Sequence, residues 1–344
     1  MKTVPVKCDV AVLGAGPAGL ATAICCAELG LQVCVLERGE LPRPAVGESV
    51  HPGAEALFLR LGVAREVNKQ NFLRFSGVWI GHEQEVSFVP FGTDQHPWEG
   101  FHIWRYDFDQ ILLKRARAAG ATFVTCCYPS EVTPTDHGVN ITTKAGNFKA
   151  RIVVDGTGRN SWIARQWGLK RETFSHSLVA RYGYREGDCP QRRDNPLFSM
   201  RRDGWEWTAR VRPNLYQWIS VCLERNGRCH NPVPMEVRGL CEVGRTRGAD
   251  VTWRFVSECA SRRHFLVGDA ASVLDPSSSH GVIKALSSGI LAAECIEKIL
   301  TNHSAAENAI RGYSAWQWKW FRRDALRLST LFKRVGYFPE LTPA

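Results

Sequence analysis

The opening of the chain constrains it most. Residues 8–13 (CDVAVL) form an apolar run of strand length, followed at once by Gly14-Ala15-Gly16-Pro17-Ala18-Gly19. Residues 20–29 then read as a helix closed by Gly30, and residues 32–36 (QVCVL) as a second strand ending on Glu37. Strand, glycine turn, helix, strand and acid in this order are what a dinucleotide site requires. Gly14 permits the tight turn, Gly16 lets the backbone approach a pyrophosphate, and Gly19 lets helix and strand pack closely, with small Ala18 completing the phosphate-facing turn. The helix start offers N–H groups and a partial positive charge to the phosphates. Glu37 lies 23 residues after Gly14, where a carboxylate accepts hydrogen bonds from ribose hydroxyls. Beside Arg38, it favours a free 2′-OH, hence FAD or NAD over NADP.

Composition narrows the class. At 44% hydrophobic and 23% charged residues, the chain is globular rather than disordered, and 344 residues suggest two domains. The net charge of +10 is uneven, because residues 181–263 hold 16 arginines, no lysine and 10 acids, and residues 301–344 hold 7 bases and 3 acids. Such stretches suit either a solvated face or an anionic partner, such as an acidic protein. The 12 cysteines include the adjacent pairs Cys25-Cys26 and Cys126-Cys127 but no C-x-x-C. They read as free thiols of a reducing cytoplasm, and no metal site is expected. No transmembrane segment is expected, and no nucleic-acid motif accompanies the basic charge.

Further motifs carry a resemblance. Residues 265–271 (FLVGDAA) resemble the second FAD motif of flavoprotein monooxygenases related to p-hydroxybenzoate hydroxylase. The following Asp275-Pro276-Ser277-Ser278-Ser279-His280-Gly281-Val282 resembles the D-P-x-x-S-x-G stretch of the branch containing tryptophan halogenases. Gly47-Glu48-Ser49 is similar to that branch's G-E-S element. Residues 105–112 resemble its R-x-x-F-D-x-x-L motif, and residues 155–161 its D-x-x-G-x-x-S segment. The resemblance implies a Rossmann-type α/β FAD domain (1–60, 101–175 and 262–300). It implies an inserted β-sheet substrate domain (61–100 and 176–261) and a C-terminal helical segment (301–344). Asp269, after Gly268, inherits the ribityl contact; Arg105 inherits the phosphate or ribityl region, and Asp155 the segment against FAD. Glu48, Ser49 and Pro276 join the cofactor set. Amides from Gly281 and Val282, at a helix start, would steady charge on the reduced ring.

Departures from the branch bear on the chemistry. Residues 71–79 (NFLRFSGVW) hold no lysine where halogenases carry one, although Lys69 is near, and residues 205–210 (WEWTAR) keep the two tryptophans of W-x-W-x-I-P without Ile-Pro. The resemblance is then closest to flavoproteins that oxygenate a Trp side chain during tryptophylquinone maturation. It implies an FAD monooxygenase, with O2 and either NAD(P)H or a reductase as donor, working through a C4a-hydroperoxyflavin. The substrate is an electron-rich aromatic small molecule or a Trp in a peptide or protein. The alternatives are an isoprenoid-double-bond reductase, a halogenase, or a non-catalytic FAD-bearing partner-binding protein. His280, one residue before Gly281, and His51 are the candidate catalytic groups, since imidazole exchanges protons near neutral pH. Ser279 is a candidate helix cap. Near the C-terminus, Trp318, Phe321, Ala325, Leu328, Phe332 and Val335 recur at helical spacing, with Lys319, Arg322, Arg323, Arg327, Lys333 and Arg334 as a basic side. That helix either docks on the protein or presents an interfacial face to a partner or membrane surface.

Overall fold

The computed structural model describes residues 5–42, 47–82, 85–93, 95–189, 194–223, 232–333 and 336–337. Its helices are α1 (Pro17–Glu28), α2 (Ala54–Arg60), α3 (Ala64–Lys69), α4 (Arg105–Ala118), α5 (Trp162–Gln166), α6 (Gly281–Thr301) and α7 (Ala306–Phe332).

The strand Val6–Leu13 becomes buried along its length, because its second half is continuously apolar. It pairs in parallel with Val33–Leu36 on one side and Gly146–Asp155 on the other. Thr122–Val124 and His264–Leu266 extend this parallel sheet at its two sides. The long strand Gly146–Asp155 also carries an antiparallel meander through Gly138–Thr143 and Pro129–Thr135. Helices α1 and α6 pack so closely that a Cβ at Gly289 would lie 2.4 Å from the Ala18 carbonyl oxygen.

A second, seven-stranded sheet runs in the order 241–250, 179–186, 215–222, 204–212, 197–201, 77–82, 85–90. Its pairs are antiparallel except the one joining Leu197–Arg201 to Gly77–His82. A polar contact joins this sheet to the turn that precedes α6. Buried Trp205 Nε1 donates to Asp275 Oδ2 at 3.4 Å. One tryptophan of the W-x-W pair therefore ties this second sheet to the D-P turn that precedes α6. A small sheet of Gly47–Val50, Gly100–Trp104 and Leu73–Phe75 places Ser49 opposite His102.

Helix α7 docks on the nucleotide domain. Tyr313 Oη donates to the Leu266 carbonyl at 2.6 Å, and Gln317 Nε2 to the same oxygen at 3.3 Å. Phe321 packs on Phe174 and Phe255 with ring centroids 5.0 and 5.5 Å away. Phe321, Ala325, Leu328 and Phe332 are buried, so the apolar stripe serves the interior instead of a membrane or partner surface. Val335 and Arg334 lie outside the described residues. No described helix is long and apolar enough to cross a membrane. The described cysteines are free, and burial pushes the Cys25 thiol up to about 11.

Candidate flavin site

The glycine turn is closed to larger residues. Gly14 has φ +95°, and a Cβ there would lie 2.6 Å from the Gly156 carbonyl oxygen. A Cβ on Gly19 would lie 2.1 Å from the Gly14 carbonyl oxygen. Gly16 caps α1 without a side-chain cap, and Pro17 follows at the first turn. Glu37 is buried against this turn, its Oε2 accepting from Ala15 N at 2.7 Å and its Oε1 from Gly39 N at 3.2 Å. Ala18 is the packing centre, since a Cβ on Gly268 would meet its methyl group at 3.0 Å. Arg38 is exposed. This cradle, in which neither Gly14 nor Gly19 has room for a Cβ and the helix start has no side-chain cap, fits a dinucleotide pyrophosphate.

The G-E-S strand brings two polar clusters. Arg105 grips Asp109 with both ends of its fork, at 2.8 and 3.0 Å, and reaches Glu48 Oε1 at 2.5 Å. Burial opposes the Arg105 charge, but Asp109 and Glu48 hold it firmly protonated; burial raises the Glu48 carboxyl against the pull of Arg105. Ser49 Oγ and His102 Nδ1 are 2.6 Å apart, and His102 Nε2 is 2.6 Å from the Asp194 carbonyl oxygen. Burial pushes His102 down to about 4, so the ring is neutral. A carbonyl can only accept, so Nε2 carries the proton and the Ser49 hydroxyl donates to Nδ1.

The acids of the later motifs divide by environment. Asp155 is consumed by its own turn, accepting from Thr157 N and Oγ1 and from Ile163 N at 2.9, 2.6 and 2.7 Å. Asp269, with 44% of its side chain exposed, meets Lys284 Nζ at 3.3 Å. Lys284 is buried and also donates to the Ser272 carbonyl at 2.6 Å. Asp275 is fully buried, its Oδ1 accepting from Ser277 N and Oγ at 3.0 and 2.6 Å. Burial pushes it up to about 6, against those donors. Asp275 caps the short turn Pro276–Ser278; Ser279 takes φ +55°, and the N-cap of α6 is His280, not Ser279. The sequence-level assignment of Ser279 as cap fails because its left-handed backbone ends one turn before the next begins.

The start of α6 is open and free of acids. Gly281 is exposed with no atom within 4 Å of where a Cβ would stand, the first turn holds no acid, and Val282 is buried beneath it. His280 Nδ1 lies 2.7 Å from Asp324 Oδ2 on α7, and its ring centroid is 6.4 Å from that of His51. His51 Nδ1 accepts from Gly53 N at 3.1 Å, which puts its proton on Nε2. Trp98 and Phe91 crowd His51 at ring centroids 4.8 and 5.2 Å away. Burial, then the neighbouring His280, lowers its basicity. The two candidate histidines are thus brought together over α6. Asp324 and Lys284 were missed in the sequence, although each shows a polar residue on a helix face that is otherwise apolar.

Residues 9–55 match a family model described as FAD dependent oxidoreductase. The chain is 26% identical to a 1H-pyrrole-2-carbonyl-(peptidyl-carrier protein) chlorinase of Pseudomonas fluorescens, over 94% of this chain and 84% of the relative. It is 25% identical to the corresponding brominase of Pseudoalteromonas luteoviolacea, over 85% of this chain and 78% of the relative. The crystal structure of CmlS, a flavin-dependent halogenase, superposes with TM-score 0.86 at 23% identity, over 98% of this chain and 68% of that one. The chain is therefore an FAD-dependent enzyme of oxidoreductase type, with FAD as its cofactor. Its mixed α/β fold, with a Rossmann-like sheet and C-terminal helices, is that of flavin halogenases.

Proposed function

We propose that this enzyme places a halogen on an electron-rich aromatic ring, as its relatives' names describe. The observation that carries this reading is the likeness to a flavin-dependent halogenase along nearly the whole chain, with the open start of α6 facing two histidines. Bound FAD, reduced by NAD(P)H or a partner reductase, supplies the electrons that activate O2. Gly14, Gly16, Ala18 and Gly19 would receive the pyrophosphate, and Glu37, held by the Ala15 amide, would accept from a ribose hydroxyl. Arg38, exposed at the mouth, and Asp269, partly exposed, are the groups free to reach the cofactor's periphery. Glu48, Arg105, Ser49, Asp155 and Pro276 shape the walls, since their polar atoms or positions are locked within the protein. The amides of Gly281 and Val282, at the start of α6, would stabilise negative charge on the reduced ring. His280 and His51 exchange protons with the substrate.

A second reading, oxygenation of the ring, is favoured by one observation. The segment where halogenases carry a lysine forms the strand Leu73–Phe75, whose buried Phe75 stacks on His102 at 4.5 Å. Lys69 is exposed at the end of α3. Intact mass measurement decides. The enzyme is given reduced FAD, O2 and bromide with a pyrrole-2-carbonyl carrier protein, and in parallel with a Trp-containing peptide. Replacement of hydrogen by bromine supports halogenation. A gain of one oxygen supports the second reading. Unchanged masses while O2 is consumed sink both.

A further inference from the structure

We infer that Asp324, on α7, is a positioning residue that holds His280 by Nδ1–H and leaves His280 Nε2 bare as the general base for the ring proton. This rests on the proposed electrophilic substitution. In that chemistry a π electron pair of the ring bonds a ring carbon to an electrophile derived from halide, O2 and reduced flavin, which leaves that carbon tetrahedral and the rest of the ring cationic. The C–H bond at that carbon must then break. Its electron pair returns to the ring, and its proton needs an acceptor.

His280 is placed for that task by three independent facts. It caps α6 next to exposed Gly281, where an added Cβ would meet no atom from the rest of the fold. Its Nδ1 is 2.7 Å from a carboxylate that can only accept, so the proton on the neutral ring sits on Nδ1. Its side chain is 24% exposed, so the imidazole is partly open to solvent. An imidazole backed by a buried carboxylate is the arrangement that fixes the tautomer and steadies the imidazolium once formed.

Asp324 is held for the same purpose. Its side chain is 3% exposed, and its other oxygen accepts from Arg323 Nε at 3.2 Å. Burial opposes its charge, but His280 and Arg323 keep it below the usual carboxylate range. Arg323 in turn lies over Trp320 at 4.6 Å, and Trp320 stands 6.2 Å from the His280 ring. Helix α7 therefore forms a wall of the site, and among the described residues the charged or titratable groups shown against His280 are Asp324, Arg323 behind it, and His51. His51 is the poorer base, since its Nδ1 is engaged by Gly53 and its Nε2 carries the proton.

The test uses FAD-loaded enzyme with 15N-labelled histidine, with the flavin absorbance as the folding control. His280→Gln assigns the His280 signals. Wild type should show neutral His280 protonated on Nδ1 and bare on Nε2; protonation on Nε2 would overturn the inference without any variant. Asp324→Asn should mix the two tautomers, and Asp324→Glu should restore the first. With the pyrrole substrate, Asp324→Asn and His280→Gln should each lower kcat on the order of 100-fold with little change in KM. The double variant should be no slower than His280→Gln alone. Losses that multiply, or His280 shifts unmoved by Asp324→Asn, refute the positioning role. Correct wild-type shifts with no turnover of any ring would instead refute the proposed reaction alone.

Discussion

Asp275 is buried in the turn before α6 with no cation partner among the described residues, and its titration should be visible in stability. Its carboxyl moves from an ordinary 3.8 up to about 6, with burial the dominant cause. The native state therefore binds this proton more tightly than the unfolded chain does. Between those two values stability falls as pH rises, by about 1.4 kcal/mol per unit, for a total of about 3 kcal/mol. The contribution is complete below 3.8 and gone above about 6. About half of it, roughly 1.4 kcal/mol, should be recovered on lowering the pH from about 7.5 to about 5. Other groups titrate in the same window, notably His102, whose depression to about 4 works in the opposite direction. The comparison with Asp275→Asn cancels them, because that variant changes one titrating group. Urea unfolding in excess FAD, followed by tryptophan fluorescence, gives both stabilities at each pH. The difference between wild type and variant should shift toward wild type by that amount on acidification. A difference constant across the range would refute the claim that this carboxylate is buried and charged at neutral pH.

Three further outcomes follow from packing and hydrogen bonding. Gly19→Ala puts a methyl group 2.1 Å from the Gly14 carbonyl oxygen; the forced backbone shift should destabilise by about 1–3 kcal/mol. It should also weaken FAD binding at least tenfold in a flavin fluorescence titration. Tyr313→Phe removes the donor to Leu266 and the partner of Gln317. It should lower unfolding free energy by about 1–3 kcal/mol, and an unchanged urea midpoint would show that α7 is not anchored there. Lys284→Met takes the ammonium from the Ser272 carbonyl and from Asp269. It should destabilise by a similar 1–3 kcal/mol and weaken FAD binding through a less ordered Asp269, both read in the same two assays.

The nucleotide cradle was legible in the sequence because its physics is local. Gly14 needs a positive φ, Gly19 needs the absence of a side chain, and both demands fall on a stretch of consecutive residues. The amphipathic stripe of α7 was equally plain, since the spacing of Phe321, Ala325, Leu328 and Phe332 follows from helix geometry. Which surface that stripe covers was not legible; only the fold places Phe174, Phe255 and the Leu266 carbonyl against it. The absence of a lysine from residues 71–79 argued for oxygenation, whereas the relatives' names point to halogenation. One absent side chain is a thin basis for reaction type when more than 90% of the chain aligns with a chlorinase.

Sequence alone determined the parallel FAD-binding sheet, the cofactor class and the identity of two histidines worth testing, because each rests on short-range patterns. Tertiary structure alone decided what those histidines can do. His51 and His280 are 229 residues apart in the chain and 6.4 Å apart between ring centroids, and Asp324 reaches His280 from a third element. No periodicity encodes such a meeting. It arises because α6 must bury its apolar face against α1, and α7 must bury its own against the sheet edge. Together these two packings bring a carboxylate within hydrogen-bond reach of an imidazole.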